Sequence, residues 1–167
     1  MTLPSVAIVG APNSGKSSLF NRLLGRRKAL VHSEAGMTRD VNEASCDLEG
    51  TQVTLLDTGG LLAGHPLPMA PDILRRVVEV ARKADVLIFV VDGRAGLSLV
   101  EEELARLFHG TGRPVVVAVN KLDVPGRDQA SLEFHRLGFP SIVPISAEHG
   151  LGTYELIEAV KSLLPPP

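Results

Sequence analysis

The glycine-rich run at residues 10–17, GAPNSGKS, constrains this chain more than any other segment. It follows an apolar, β-branched run at residues 6–9 and opens a helix-like stretch at residues 17–24. Glycines in such a turn let backbone N–H groups point inward, and the helix that follows adds partial positive charge, so the loop attracts anions. The order strand, loop, helix predicts a P-loop that binds the phosphates of a nucleoside triphosphate. The predicted ligands are Gly10, Ala11, Pro12, Asn13, Ser14, Gly15, Lys16, Ser17 and Ser18.

Strand-like and helix-like stretches alternate from end to end, which predicts an α/β fold of three layers. Nearly continuous β-branched runs predict parallel strands covered on both faces. Residues 43–48 instead alternate polar and apolar side chains and lead into a turn, which predicts an antiparallel edge strand. We expect a six-stranded, mostly parallel sheet. Its predicted strands are residues 6–9, 43–48, 51–57, 86–91, 115–119 and 142–145, with a helical stretch around residues 132–136 before the last one.

Composition bounds the class of protein. A length of 167 residues, 44% hydrophobic, suits a single globular domain, which we place at residues 1–164, with the prolines at 165–167 starting a linker. The net charge of -2 gives no strong attraction to nucleic acid or membranes. The longest apolar run, residues 86–91, is too short to cross a bilayer. The single cysteine, Cys46, suits a reducing compartment, so we expect a cytoplasmic monomer.

Metal-binding and phosphate-sensing residues are predicted around the P-loop. Lys16 would reach the β- and γ-phosphates, and the Ser17 hydroxyl would hold Mg²⁺. Asp57 ends a predicted strand about 40 residues later, the usual spacing for a second Mg²⁺ ligand, and the Gly60 N–H would face the γ-phosphate. Thr38 lies in the loop before the hairpin, where its hydroxyl would reach Mg²⁺ and the γ-phosphate only in the triphosphate state.

Base recognition is predicted after the last two strands. The Asp123 carboxylate would accept both the N1–H and the exocyclic amine of guanine, whereas adenine presents an acceptor at N1. Asn120 would join neighbouring elements and contact the purine, and the stem of Lys121 would lie over the ring. Backbone N–H groups of the segment Ser146-Ala147-Glu148 would meet the guanine O6.

These motifs together resemble those of the TRAFAC-class P-loop GTPases, and the match spans nearly the whole chain. Residues 12–23, PNSGKSSLFNRL, are similar to bacterial Era-, MnmE- and Der-like proteins. The segments GMTRD at 36–40 and DTGGL at 57–61 are most like the first G domain of the Der (EngA) family. The resemblance implies a Ras-like G domain that hydrolyses GTP to GDP and phosphate. It also implies a role in assembly of the large ribosomal subunit, as part of a longer protein whose missing domains would meet the ribosome.

Two positions indicate how hydrolysis would proceed. Many Ras-like GTPases carry a glutamine after the glycine pair, but this chain has Leu61, which cannot orient water, so turnover is expected to be slow. In the similar proteins, an asparagine at the position of Asn13 helps to hold K⁺ against the phosphates. The resemblance therefore implies K⁺-stimulated hydrolysis, with Asn13, Lys16, Thr38 and Gly60 as the catalytic residues.

Two other functions stay open at this point. Leu61 also suits a binding module that responds to GTP or GDP with negligible turnover. A P-loop ATPase or small-molecule kinase is the third possibility, and Asp123 argues against it.

Overall fold

The computed structural model describes residues 2–25, 41–62, 69–123 and 127–166. Within these residues the strands are β1 Ser5–Gly10, β2 Asn42–Leu48, β3 Thr51–Asp57, β4 Val86–Asp92, β5 Val115–Asn120 and β6 Ser141–Pro144. The helices are α1 Lys16–Leu24, α2 Gly59–Leu62, α3 Pro71–Lys83, α4 Leu99–Gly110, α5 Arg127–Ala130 and α6 Thr153–Leu163, with a 3₁₀ helix at Leu132–Leu137.

The six strands form one sheet in the order β2-β3-β1-β4-β5-β6. All neighbouring pairs are parallel except β2 and β3, which form an antiparallel hairpin at the sheet edge. Glu49 and Gly50 turn this hairpin with φ values of 46° and 94°, the positive values that a two-residue hairpin turn needs. The predicted fold class is confirmed, including the antiparallel edge strand.

Helices cover both faces of the sheet. Successive residues of β4 alternate between two buried clusters because side chains on a strand alternate between its faces. Phe89 belongs to the cluster beneath α3 and α4, where its ring meets Phe108 edge-on at 5.0 Å. Ile88 belongs to the cluster beneath α1 and α6. The central strands are therefore apolar on both sides, as their continuous runs predict.

The helical stretch predicted around residues 132–136 is a 3₁₀ helix. Phe134 and Leu137 are buried and lie three residues apart, which matches three residues per turn. Gly138 ends it in the left-handed conformation, with φ of 84°. No helix in the described ranges is both long and apolar enough to cross a membrane.

Candidate functional site

The carboxyl ends of β1, β3, β5 and β6 bring four loops to one edge of the sheet. In parallel α/β sheets this edge is where ligands bind. The P-loop follows β1 and leads directly into α1. The loops after β3, β5 and β6 carry the other predicted residues, so the topology brings together segments that are more than 100 residues apart in sequence.

The P-loop curls around the ammonium group of Lys16. This side chain is buried, and its Nζ donates to the carbonyl oxygens of Gly10 at 3.0 Å and Ala11 at 2.6 Å. Burial lowers the pKa of Lys16 to about 8, and the negative charge of Asp57 opposes that shift. Gly15 has φ of 102°, and a Cβ there would collide with the side-chain nitrogen of Asn120, so glycine is required.

Ser17 and Asp57 lie in contact although they are 40 residues apart. The Ser17 hydroxyl donates to Asp57 Oδ2 at 3.2 Å, and the Gly59 N–H donates to Asp57 Oδ1 at 2.9 Å. A hydroxyl and a carboxylate are hard oxygen ligands, the kind that Mg²⁺ prefers. The pair therefore fits the metal predicted from sequence.

Asn120 links the P-loop to the segment Ser146-Ala147-Glu148, which we call the base loop. Its side chain is buried, its Nδ2 donates to the Ser14 carbonyl at 3.0 Å, and its Oδ1 accepts the Ala147 N–H at 2.9 Å. Each polar atom of this amide thus holds a different loop. The P-loop and the base loop are therefore held at a fixed distance from each other.

Lys121 closes the other side of the P-loop. It lies in the left-handed region with φ of 68°, and its Nζ donates to the Asn13 carbonyl at 2.6 Å and to Asp92 Oδ2 at 3.0 Å. Burial acts to raise the pKa of Asp92. Hydrogen bonds from Lys121 and from two backbone N–H groups outweigh that effect and hold the pKa below its ordinary value.

Two basic side chains flank Asp123. Arg94 Nη2 lies 3.5 Å from Asp123 Oδ1, and His149 Nε2 lies 3.4 Å from Oδ2. The pKa of Asp123 is below its ordinary value, chiefly through a hydrogen bond from its own backbone N–H and further through Arg94 and His149. The carboxylate is therefore ionised at neutral pH and can accept hydrogen bonds. Sequence reasoning assigned neither basic residue to the site.

The base loop uses two of its backbone N–H groups within the protein. The Ser146 N–H donates to the Leu151 carbonyl at 2.9 Å, and the Ala147 N–H donates to Asn120. Of the three amides predicted to face the purine, these two have internal partners in this structure. The contact of this segment with O6 stays a prediction.

Arg22 of α1 also reaches the base loop, and sequence reasoning missed it. Its Nε donates to the Ala147 carbonyl at 2.9 Å and its Nη2 to the Glu148 carbonyl at 2.6 Å. Sequence carries no signal for this contact, because any backbone carbonyl can accept from an arginine.

The loop after β3 positions Gly60 and Leu61 in α2. Gly60 is exposed, whereas the Leu61 side chain is only 2% exposed and packs in the core. Asn13 is exposed at the tip of the P-loop, with φ of 67°. Thr38 lies outside the described residues, so its predicted role stays a prediction.

The fold and these contacts define the chain as a P-loop nucleotide-binding domain. A family model described as "50S ribosome-binding GTPase" matches residues 5–121. The chain belongs to this family of GTPases.

Individual relatives agree with the family match. The chain is 45% identical to a GTPase Der of Sulfurihydrogenibium sp. (strain YO3AOP1), over 96% of this chain and 36% of the relative. It is 47% identical to GTPase Der of Myxococcus xanthus, over 98% of this chain and 36% of the relative. The chain thus spans about a third of the length of these relatives, and its resemblance to Der-like GTPases is confirmed.

Solved structures of GTPases share the fold. Aquifex aeolicus Era bound to GDP and AlF4⁻ superposes with a TM-score of 0.79 at 32% identity, over all of this chain and 58% of Era. The G domain of the T. maritima FeoB iron transporter gives a TM-score of 0.69 at 26% identity, over 96% of this chain and 98% of that domain.

Proposed function

We propose that this chain binds GTP with Mg²⁺ and hydrolyses it to GDP and phosphate, as a switch in assembly of the large ribosomal subunit. Membership of a GTPase family and the likeness to proteins named GTPase Der support this proposal. The observation that carries it is the position of Asn120, which joins the P-loop to the base loop. Phosphate binding and base selection are thereby held in one site.

Guanine selection would rest on Asp123. Its ionised carboxylate accepts the two donors of the guanine edge, N1–H and the exocyclic amine, and repels the N1 lone pair of adenine. The Lys121 stem would lie against the ring while its ammonium group stays with Asn13 and Asp92. A site built on these donors and acceptors rejects adenine nucleotides, which argues against an ATPase or a small-molecule kinase.

Phosphate chemistry would rest on the P-loop. Ser17 and Asp57 would hold Mg²⁺, with Thr38 as a further ligand, and the ion would add positive charge beside the β- and γ-phosphates. Lys16 would exchange its carbonyl partners for phosphate oxygens. Water attacks the γ-phosphorus in line, the bond to the β–γ bridging oxygen breaks, and Lys16 and the P-loop amides stabilise the charge that develops there. The Gly60 N–H would sense whether the γ-phosphate is present.

We further propose that turnover is slow and is stimulated by K⁺. Leu61 is buried, so the position after the glycine pair offers no group to orient water. Asn13 is exposed at the P-loop tip, where its amide oxygen is an available hard ligand for K⁺ beside the phosphates. A cytoplasmic location is also part of the proposal, since the single cysteine, Cys46, is buried and forms no disulfide within the chain.

Phosphate release from GTP under single-turnover conditions tests this function. We expect release to be at least about tenfold faster in KCl than in NaCl at equal ionic strength, because K⁺ held by Asn13 would stabilise the transition state and the smaller Na⁺ would be held less well. Asn13→Ala should lose that stimulation, whereas Asn42→Ala, which changes an exposed asparagine of the edge strand, should keep it.

Other outcomes select other functions. Tight GTP binding with no phosphate released in KCl would instead identify a binding module with negligible turnover, the alternative that the family match and the Der relatives do not favour. Equal rates in the two salts, or stimulation that survives in Asn13→Ala, would exclude the role of Asn13 and K⁺.

A further inference from the structure

Arg22 forms a two-point contact between α1 and the base loop. Its guanidinium donates to two consecutive carbonyl oxygens, those of Ala147 at 2.9 Å and Glu148 at 2.6 Å, which lie 125 and 126 residues away in sequence. A planar guanidinium with two donors fixes both the distance and the orientation of what it binds. Hydrogen bonds from a charged donor are also among the stronger ones in proteins.

The contact borders an open cleft. A cleft of about 380 Å³ lies between α1 and the base loop, and Ser18 and Arg22 line one side while Ala147 and Glu148 line the other. Ser18 and Glu148 also line an adjoining cavity of about 180 Å³ beside Asp123. Arg22 holds the loop from the helix and Asn120 holds it from the sheet, while Ser146 and Leu151 pair their backbones.

The bond from Arg22 to Ala147 sets the direction of one amide. In a trans peptide the C=O and the N–H point in opposite directions, so fixing the Ala147 carbonyl also fixes the Glu148 N–H. The Ser146 and Ala147 N–H groups already have internal partners. The Glu148 N–H is thus the base-loop donor whose direction Arg22 controls.

We propose that Arg22 is a positioning residue for purine recognition, holding the base loop so that the Glu148 N–H meets the 6-oxygen of guanine. This inference rests on the proposed binding of guanine nucleotides. Because α1 begins in the P-loop, the same side chain joins the helix that receives the phosphates to the loop that reads the base.

Nucleotide affinity tests this role with GDP and 6-thio-GDP as probes. Sulfur at position 6 is a weaker acceptor than oxygen, while N1–H and the 2-amine are unchanged, so the affinity ratio of the two nucleotides reports the contact at position 6. We expect Arg22→Ala to weaken GDP binding about tenfold and to bring the ratio towards one, since two charge-assisted bonds are lost. Arg106→Ala, which removes an exposed arginine of α4, should match the wild type.

Arg22→Lys provides the second variant. A lysine keeps the charge but lacks the fork, so it should give an intermediate GDP affinity and an intermediate ratio. A purely structural role would weaken both nucleotides equally, and an unchanged ratio in both variants overturns the inference. If the wild type itself binds no GDP, the proposed function fails instead, so the two failures are distinguishable.

Discussion

Burial sets the protonation behaviour of one side chain of the P-loop, Lys16. Its ammonium group is enclosed by the P-loop carbonyls, and its pKa is about 8. Burial therefore disfavours the charged form of Lys16. Binding of an anion would relieve that cost, which is one reason why such a loop favours phosphate.

This burial predicts a pH dependence of stability. Between pH 8 and 10.5 the unfolded chain binds more protons at Lys16 than the folded chain does, so the free energy of unfolding rises with pH. Below pH 8 Lys16 is protonated in both states, and the full cost of burying its charge lowers the stability of the folded state. From pH 7 to 10, nucleotide-free wild type should gain roughly 2 kcal/mol of unfolding free energy relative to Lys16→Met. Urea unfolding of both proteins at the two pH values measures this difference in the free energy of unfolding.

The thiol of Cys46 also changes stability with pH, so the effect of Lys16 has to be measured as the difference between wild type and Lys16→Met. Burial raises the pKa of its thiol to about 11, so its contribution to stability is present below pH 9 and is lost as the pH rises towards 11. That effect opposes Lys16 in the same interval, but it is common to wild type and Lys16→Met and cancels in the difference. A difference that stays constant with pH would contradict the assigned burial of the Lys16 charge.

Helix α4 begins with a side chain that caps its first turn. Ser98 lies just before the helix, and both its hydroxyl and its backbone N–H donate to Glu101 Oε1, at 2.7 and 3.1 Å. The pattern Ser-x-x-Glu is the capping box, which satisfies donors that the first turn leaves unpaired. Acidic residues in the first turn add a favourable interaction with the helix dipole.

Loss of this cap should cost measurable stability. Ser98→Ala is expected to lower the free energy of unfolding by about 1 kcal/mol and to leave nucleotide affinity unchanged. Ser162→Ala is the matched control, because its exposed hydroxyl only donates to the Ala159 carbonyl one turn earlier in α6. Chemical denaturation of the two variants decides the point, and equal stabilities would contradict a capping role for Ser98.

The type of an element is easier to predict from sequence when the element is long or fully buried. The buried strands are recognisable because a parallel strand covered on both faces must be apolar along its length, as β4 is. The stretch at Leu132–Leu137 is recognisable only as helical, since six residues are too few to distinguish three from 3.6 residues per turn. The domain boundary at residue 164 stays a prediction.

At the scale of the whole molecule, one edge of the sheet collects every described part of the site. A ligand spanning that edge would contact the loops after β1, β3, β5 and β6 at once. Unfolding would separate all of them, so the folded state alone should bind the nucleotide, and binding should stabilise the whole domain.

Guanine nucleotides should therefore raise the unfolding free energy in a base-specific way. At one hundred times its dissociation constant, GDP with Mg²⁺ should add about 2.7 kcal/mol, and ADP at the same concentration should add nothing measurable. Asp123→Asn should respond to XDP instead, because an amide N–H₂ can donate to the 2-oxygen of xanthine.

Asp72→Asn provides the control for this specificity change. Asp72 is an exposed carboxylate of α3 that pairs only with Arg75 among the contacts of the described chain, so its variant should follow the wild type. Stabilisation of Asp123→Asn by GDP and not by XDP would exclude Asp123 as the residue that selects the base.

The sequence by itself determined the local features of this protein. The P-loop, the strands and the order of the motifs depend on neighbouring residues, so short patterns report them. The tertiary structure alone decided which distant groups meet: Ser17 with Asp57, Asn120 with two loops, and Arg22 with the base loop. Backbone carbonyls and amides are present at nearly every position and carry no residue-specific signal. The partner of each backbone group is decided only when the chain has folded, because the crossover connections place four strand ends at one edge of the sheet.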